Sequence, residues 1–254
     1  MEKSERIALY EARYTADFGF EAVMVSARQQ LLLELLRRLK PGVVLEVGCG
    51  TDLLVRHAVA AGMTFEQWII VEPGERLAAA AQAANPEGVR LDVIRGFIED
   101  SVGAVANCCI RRPGFVVCAG LLHEVEDPVA ILRAARSLVA GGGIVHVSVP
   151  NALSLHRRLA KAMSIIRDEK QLSDRNRQLS QYRVFDLEDL VEVSARAGFG
   201  VVDRGGYFIK PFTHAQMQVI QPLLPEQVMQ GLWLLGRALP ELASEIYVNL
   251  RSAE

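Results

Sequence analysis

Residues Val44–Val55 read VLEVGCGTDLLV, an apolar run followed by two glycines and a second apolar segment. This order predicts a buried strand, a glycine-rich turn and a helix, which is the usual build of a nucleotide cradle. Gly48 and Gly50 allow a sharp turn and a close approach of a ligand to the main chain. Asp52 stands where such a turn often has a further glycine, so the turn departs from the dinucleotide-binding pattern.

A second apolar run, IIVEP, ends in a carboxylate that complements the glycine turn. Glu72 follows the glycines by about 20 residues, where a carboxylate at a strand end can accept both hydroxyls of an adenosine ribose. Asp52 can cap the amides of the following helix, and it would repel a pyrophosphate that needs those amides. A sulfonium amino-acid cofactor brings no phosphate. The pattern therefore disfavours NAD and favours S-adenosylmethionine.

Apolar runs and helical segments alternate around this turn. We predict strands over 43–47, 68–71, 89–94, 115–119 and 144–149, with helices over 21–39, 53–61, 75–84 and 128–139. This rhythm indicates a parallel sheet covered by helices on both faces.

The rhythm changes after Pro150. Residues 151–185 are polar and basic, and a helix is predicted over 186–197, followed by a hairpin-like pair of short strands over 201–203 and 207–210. The remaining chain, from 213 to 250, is expected to be helical. We divide the chain into an N-terminal helical lid (1–40), a central domain (41–210) with a substrate-cap insert (151–185), and a helical C-terminal extension (211–254).

Composition limits the class of protein. The chain has 254 residues, half of them hydrophobic, so it can bury a sizeable core without disulfides or metal. A net charge of −2 argues against a general nucleic-acid binder. No apolar run approaches the ~20 residues that cross a bilayer, and the polar start lacks a signal peptide's apolar stretch. Four cysteines without a CxxC pair indicate a reducing compartment. We expect a cytoplasmic protein with no metal, no nucleic-acid partner and no membrane partner.

Three segments, in order, carry a resemblance to a known family: VLEVGCGTD, IIVEP and GLLHEVEDPVAILRAARSLVAGGGIVHVSVPN. They resemble class I S-adenosylmethionine-dependent methyltransferases, the group that includes the ubiquinone-biosynthesis type, and FDLEDLVEVSARAGF extends the likeness to residue 210. The resemblance implies an α/β, Rossmann-like, doubly wound sheet of seven strands whose last strand is antiparallel. It also implies methyl transfer from S-adenosylmethionine, with S-adenosylhomocysteine as product.

The resemblance further implies cofactor contacts at the glycine turn, at later strand ends and in the lid. These candidates are Tyr14, Arg28, Glu46, Gly48, Cys49, Gly50, Glu72, Pro73, Phe97, Ile98, Glu99, Gly120 and Leu121. Glu72 would hold the ribose, residues 96–99 would contact the adenine, and Gly120 would lie beside the methyl donor. Tyr14 and Arg28 would close over the cofactor, with Arg28 pairing its carboxylate.

Fewer residues address the methyl acceptor. His123 is a candidate general base, since imidazole titrates near neutrality, or else a polar residue that fixes its loop to Glu124 or Glu126. The basic insert either grips an anionic acceptor or is a solvated helix face. Its best-placed residues are His156, Arg157, Tyr182 and Arg183. The favoured function is transfer of a methyl group to an oxygen or nitrogen atom of a small molecule.

Three other functions stay open. A methyltransferase fold that has lost catalysis could serve as a binding or scaffold protein, and Asp52 favours that alternative. An NAD-dependent oxidoreductase and an RNA methyltransferase are disfavoured by the glycine spacing and by the charge. Aromatic and methionine residues of the tail are spaced like a helical core or a subunit contact, which allows a homodimer through the C-terminal helices.

Overall fold

The computed structural model describes Ile7 and residues 19–84, 86–179 and 181–253. Its seven strands are β1 Val43–Val47, β2 Gln67–Glu72, β3 Arg90–Arg95, β4 Phe115–Ala119, β5 Ile144–Pro150, β6 Phe199–Tyr207 and β7 Glu245–Ser252. They form one sheet in the order β3-β2-β1-β4-β5-β7-β6. Strands β1 to β5 are parallel, and β7 is antiparallel to both of its neighbours. The expected seven-stranded sheet with an antiparallel last strand is confirmed.

Helices cover both faces of this sheet. In the described chain they are α1 Glu21–Leu39, α2 Leu54–Ala60, α3 Glu75–Ala84, α4 Ile98–Cys108, α5 Pro128–Leu138, α6 Leu155–Ala162, α7 Asp174–Gln178, α8 Leu187–Arg196, α9 His214–Ile220 and α10 Glu226–Ala238. No described helix combines the length and the apolar character that a bilayer span requires.

Two hydrophobic cores result, one on each face of the sheet. Successive side chains of a strand point to opposite faces, so Leu45 belongs to the core that also contains residues of α4, α5 and α8, whereas Val44 belongs to the core that contains residues of α1, α2 and α10. The parallel strands therefore have buried side chains on both faces, which explains their nearly continuous apolar runs. The carboxyl ends of β1, β2, β4 and β5 lie together at one edge, and this edge carries the site.

The sequence analysis is wrong about the end of the chain. Residues 245–252 were expected to be helical, but they form β7, which inserts between β5 and β6. The hairpin expected over 201–210 is also wrong, because β6 runs straight through its two glycines. A Cβ on Gly205 would lie 2.8 Å from the Tyr247 hydroxyl, and one on Gly206 would lie 2.5 Å from Ala243 Cβ. The glycines there permit close packing and form no turn.

Another glycine fixes the tail helix α10 against the sheet. A Cβ on Gly236 would lie 2.2 Å from the backbone nitrogen of Phe208, so helix and strand would have to separate. We expect Gly236→Ala to lower the free energy of unfolding by about 2–3 kcal/mol. Urea denaturation measures this change. Gly231→Ala is the matched control on the same helix, because its Cβ would meet nothing within 4 Å. An equal loss in both variants would contradict the packing explanation.

Candidate functional site

A cleft of about 630 Å³ opens where the carboxyl ends of the central strands meet. In parallel α/β sheets, ligands gather at this edge. The predicted site residues that line the cleft are Arg28, Glu46, Gly48, Cys49, Gly50, Glu72, Pro73, Phe97, Ile98, Glu99, Gly120, Leu121, His123, His156 and Arg157. Tyr182 and Arg183 are not part of its lining, and Tyr14 lies outside the described residues. The binding roles of these residues stay predictions.

The glycine turn has the backbone geometry that its residues require. Gly48 and Gly50 have φ values of 77° and 60°, in the left-handed region that favours glycine. A Cβ added to either would meet no atom within 4 Å, so the open side of the turn faces free space in the cleft. The turn thus exposes main-chain groups to a ligand.

Glu72 connects the glycine turn to the end of β2. Its side chain is fully buried. Its Oε2 accepts the backbone N–H of Cys49 at 3.2 Å, and its Oε1 accepts that of Gly74 at 2.8 Å. The Cys49 thiol also donates to Oε2, at 3.8 Å, so the carboxylate ties the glycine turn to the end of β2.

Glu46 is a second buried carboxyl group at this edge, only 5% exposed. It accepts a hydrogen bond from Trp68 Nε1 at 2.9 Å. Burial, together with the nearby charge of Glu72, raises the pKa of Glu46 to about 8. The site therefore keeps a protonated carboxyl group at neutral pH, and a bound cation would favour its ionisation.

This shift predicts a pH dependence of stability. Between the ordinary pKa of 4.5 and about 8, the folded protein holds a proton on Glu46 that the unfolded chain has released. The free energy of unfolding therefore falls as pH rises through this window. We expect urea titrations from pH 5 to 8 to show a smaller fall for Glu46→Gln than for the wild type. Parallel pH dependences in the two proteins would contradict the shifted pKa.

Asp52 does not cap the helix as expected. Helix α2 begins after Leu53, and no side chain caps it. The Asp52 side chain is half exposed, and its Oδ1 lies 2.6 Å from His57 Nε2. The helix starts one residue later than predicted, so His57 takes the place of the helix amides as the partner of Asp52. Asp52 also lines the cleft beside the glycine turn.

Arg28 is held in the cleft by a residue that the sequence analysis missed. Its Nε and Nη2 donate to the Glu245 carboxylate at 3.1 Å and 2.6 Å. The hydroxyl of Tyr207 donates to the same carboxylate. Glu245 escaped detection because its segment was expected to be helical rather than a strand beside β5.

His123 lies in the loop after β4 with only 5% of its surface exposed. Its Nδ1 has no hydrogen-bond partner among the described residues, and its Nε2 is 3.6 Å from Glu124 Oε1. Burial, and then the charge of Arg28, lower the pKa of His123 to about 3. The imidazole is therefore neutral at physiological pH and has a buried nitrogen without a partner.

The insert is held by its own arginines. Arg157 donates to the main-chain carbonyls of Glu169, at 2.7 Å, and Gln171, while Arg183 donates to that of Glu126 at 2.5 Å. These guanidinium groups fix loops, which the sequence alone could not show because their partners are main-chain atoms. The half-exposed Tyr182 donates its backbone N–H to the His123 carbonyl, at 2.9 Å.

His156 lines the cleft together with a polar cluster that the sequence did not reveal, formed by Glu21, Arg175 and His214. Burial, and then the charge of Lys210, lower the pKa of His156 to about 2, so it is neutral. His214 Nε2 lies 3.0 Å from Glu21 Oε2, and His214 Nδ1 lies 2.8 Å from Lys210 Nζ. Arg175 of the insert lies 3.6 Å from Glu21. In the described chain, no group of three or more His, Cys, Asp or Glu residues is arranged to hold a metal ion.

Comparison with known sequences identifies the family. A family model described as a methyltransferase domain matches residues 21–204. The ubiquinone biosynthesis O-methyltransferase of Escherichia coli O127:H6 is 30% identical over 109 residues, which is 42% of each chain. A Citrobacter koseri protein of the same name matches equally. The chain thus aligns with less than half the length of these relatives.

Solved structures share the fold. The plantazolicin methyltransferase BamL, in complex with S-adenosylhomocysteine, has a TM-score of 0.57 at 14% identity, covering 100% of this chain and 92% of that one. A methyltransferase of Thermotoga maritima has a TM-score of 0.58 at 19% identity, covering 96% and 99%. The N-methyltransferase NodS of Bradyrhizobium japonicum has 0.57 at 12%, covering 97% and 99%. Because the methyltransferase family model matches most of its length, the chain belongs to the class I S-adenosylmethionine-dependent methyltransferases.

Proposed function

We propose that this chain transfers the methyl group of S-adenosylmethionine to an oxygen or nitrogen atom of a small-molecule acceptor. The observation that carries the proposal is the pair of buried carboxyl groups, Glu46 and Glu72, beside an open glycine turn. S-adenosylmethionine brings a sulfonium and an ammonium group, which complement carboxylates. A dinucleotide would instead bring its pyrophosphate to the glycine turn, two residues after Glu46, where an ionised carboxylate is unfavourable.

The residues of the cleft suit the parts of this cofactor. Glu72 can accept the ribose hydroxyls, and the turn from Gly48 to Gly50 can contact the methionine part. Phe97 precedes α4 and carries no side-chain hydrogen-bonding group, so adenine hydrogen bonds would come from the main chain at the start of α4. Arg28 can pair with the carboxylate, and Gly120 borders the space next to it.

The bound cofactor would supply an electrophilic methyl group for direct attack by oxygen or nitrogen, with S-adenosylhomocysteine as the leaving group. The chain's own contribution is alignment, exclusion of water and removal of the acceptor's proton. We assign the role of proton acceptor to His123 Nδ1, because this nitrogen is buried in the cleft and lacks a hydrogen-bond partner among the described residues.

An anionic acceptor is the narrower part of the proposal. Most basic side chains of the insert pair with carboxylates or carbonyls, and Arg175 itself lies 3.6 Å from Glu21. The support comes from the position of Arg175, which lines the cleft and whose side chain is 53% exposed. We also propose a homodimer through α9 and α10, supported by the exposed Val219, Leu223 and Leu234. A cytoplasmic setting is supported by four free cysteines.

A turnover assay tests the proposal. Purified protein is incubated with methyl-labelled S-adenosylmethionine and matched pairs of hydroxyl or amine acceptors that differ by one carboxylate or phosphate. We expect labelled product and S-adenosylhomocysteine, with the anionic member of a pair preferred. Tight binding of S-adenosylhomocysteine without any methyl transfer would contradict the catalytic assignment and favour a binding or scaffold protein.

A further inference from the structure

The guanidinium group of Arg28 uses only one of its two edges for Glu245. The ion pair joins Nε to Oε2 and Nη2 to Oε1, the side-on arrangement of a bidentate pair. Both N–H groups of Nη1 and the second N–H of Nη2 are not used in this pair. Nη1 lies 3.1 Å from the position of a Cβ on Gly120. Cζ and Nη2 lie 3.2 Å and 3.5 Å from the same position, so the Gly120 turn covers the flat face of the guanidinium group, which lines the cleft.

Glu245 is itself rigidly placed. It is the first residue of β7, is paired with Pro150 of β5 and Tyr207 of β6, and is only 4% exposed. The Tyr207 hydroxyl donates to its Oε2. Burial lowers the pKa of Arg28, but the charge of Glu245 raises it well above its ordinary value, so Arg28 is a cation. The sheet thus determines where the Arg28 side chain points.

Glu245 has to hold Arg28 in this orientation, because a second carboxylate, that of Glu21, also attracts Arg28. Glu21 lies two turns before Arg28 on the same face of α1 and interacts electrostatically with it. Without Glu245, Arg28 would be drawn towards Glu21 and away from Gly120.

We propose that Glu245, held by Tyr207, is a positioning residue that aims the second edge of Arg28 at the carboxylate of the cofactor's methionine part. This inference rests on the proposed function. Glu245 does not touch the cofactor in this arrangement, and it acts through Arg28.

Two ligands separate this role from general support of the cleft. S-adenosylhomocysteine carries the amino-acid carboxylate and ammonium group, whereas 5′-methylthioadenosine is a thioether nucleoside without the amino-acid part. The Glu245→Gln variant has one acceptor oxygen in place of two, so the side-on pair is lost. We expect its affinity for S-adenosylhomocysteine to fall about tenfold, with no change for methylthioadenosine. Tyr207→Phe should show the same selectivity with a loss of about threefold.

Calorimetric titration of both ligands provides the measurement, and two controls accompany it. Glu34→Gln removes the carboxylate paired with Arg237 at 3.2 Å on the outer surface, and it should change neither affinity. In an Arg28→Met background, Glu245→Gln should cause no further loss, because the two residues act as one unit.

Charge alone would predict tighter binding of S-adenosylhomocysteine by Glu245→Gln, because removing the Glu245 carboxylate removes a competitor for Arg28. Equal or tighter binding of S-adenosylhomocysteine by Glu245→Gln would therefore overturn the inference, as would an equal loss for both ligands. Should Glu245→Gln fail to fold, the selectivity of Tyr207→Phe decides by the same criteria. A wild type that binds neither ligand would overturn the proposed function itself, a result distinct from both.

Discussion

The Glu72→Gln variant is expected to bind S-adenosylhomocysteine about 100-fold more weakly than the wild type, because two charge-assisted ribose hydrogen bonds of roughly 1.5 kcal/mol each are lost. Glutamine keeps the size of the side chain but presents an amide N–H₂ where the carboxylate now accepts the N–H groups of Cys49 and Gly74. The variant should therefore also be less stable. Calorimetry at a temperature where both proteins are folded measures the affinity.

Glu75→Gln is the matched control for this prediction. Glu75 lies three residues further on, is exposed, and pairs with Arg95 at 3.0 Å outside the cleft. Its replacement should leave the affinity unchanged. An affinity of Glu72→Gln within threefold of the wild type would show that the cofactor does not use this carboxylate.

The His123→Asn variant is expected to lose about tenfold in kcat with little change in the KM for S-adenosylmethionine, below the usual factor for a positioned base because its lowered pKa makes His123 a weak base. Because the pKa of His123 is lowered to about 3, the base is already neutral at pH 5. The wild-type profile of kcat/KM should therefore show no limb near pH 6.5 that belongs to this residue. Steady-state rates from pH 5 to 8 provide the measurement.

The other interpretation of His123, as a residue that fixes its loop, predicts a different result. In that case His123→Asn would mainly lower stability, and kcat would fall only slightly. His57→Asn serves as the control, because His57 is exposed and pairs only with Asp52 among described residues. A kcat of His123→Asn within threefold of the wild type would exclude the general-base role.

The part of the fold that sequence predicts best is the part specified by local patterns. Strand β1, strand β4 and helix α3 begin and end as expected, because apolar runs, glycines and alanines mark them directly. The glycine turn and Glu72 follow for the same reason, since their chemistry is contained in a short stretch around two neighbouring strands.

The missed features depend on distant partners. Helix α4 was not predicted, and β7 lies beyond a helical tail, so no local signal shows that Glu245 reaches Arg28. Similarly, Arg157 and Arg183 look like anion-binding residues in sequence, yet main-chain carbonyls occupy them in the fold. Tertiary packing overrides the local pattern in each case.

The central claim is that this cleft holds S-adenosylmethionine rather than a dinucleotide. Calorimetric titration of the wild type with S-adenosylhomocysteine, and separately with NADH, tests it most directly. The account predicts micromolar binding of S-adenosylhomocysteine and no heat of binding with NADH. Binding of NADH, or no binding of S-adenosylhomocysteine by the folded protein, would contradict it.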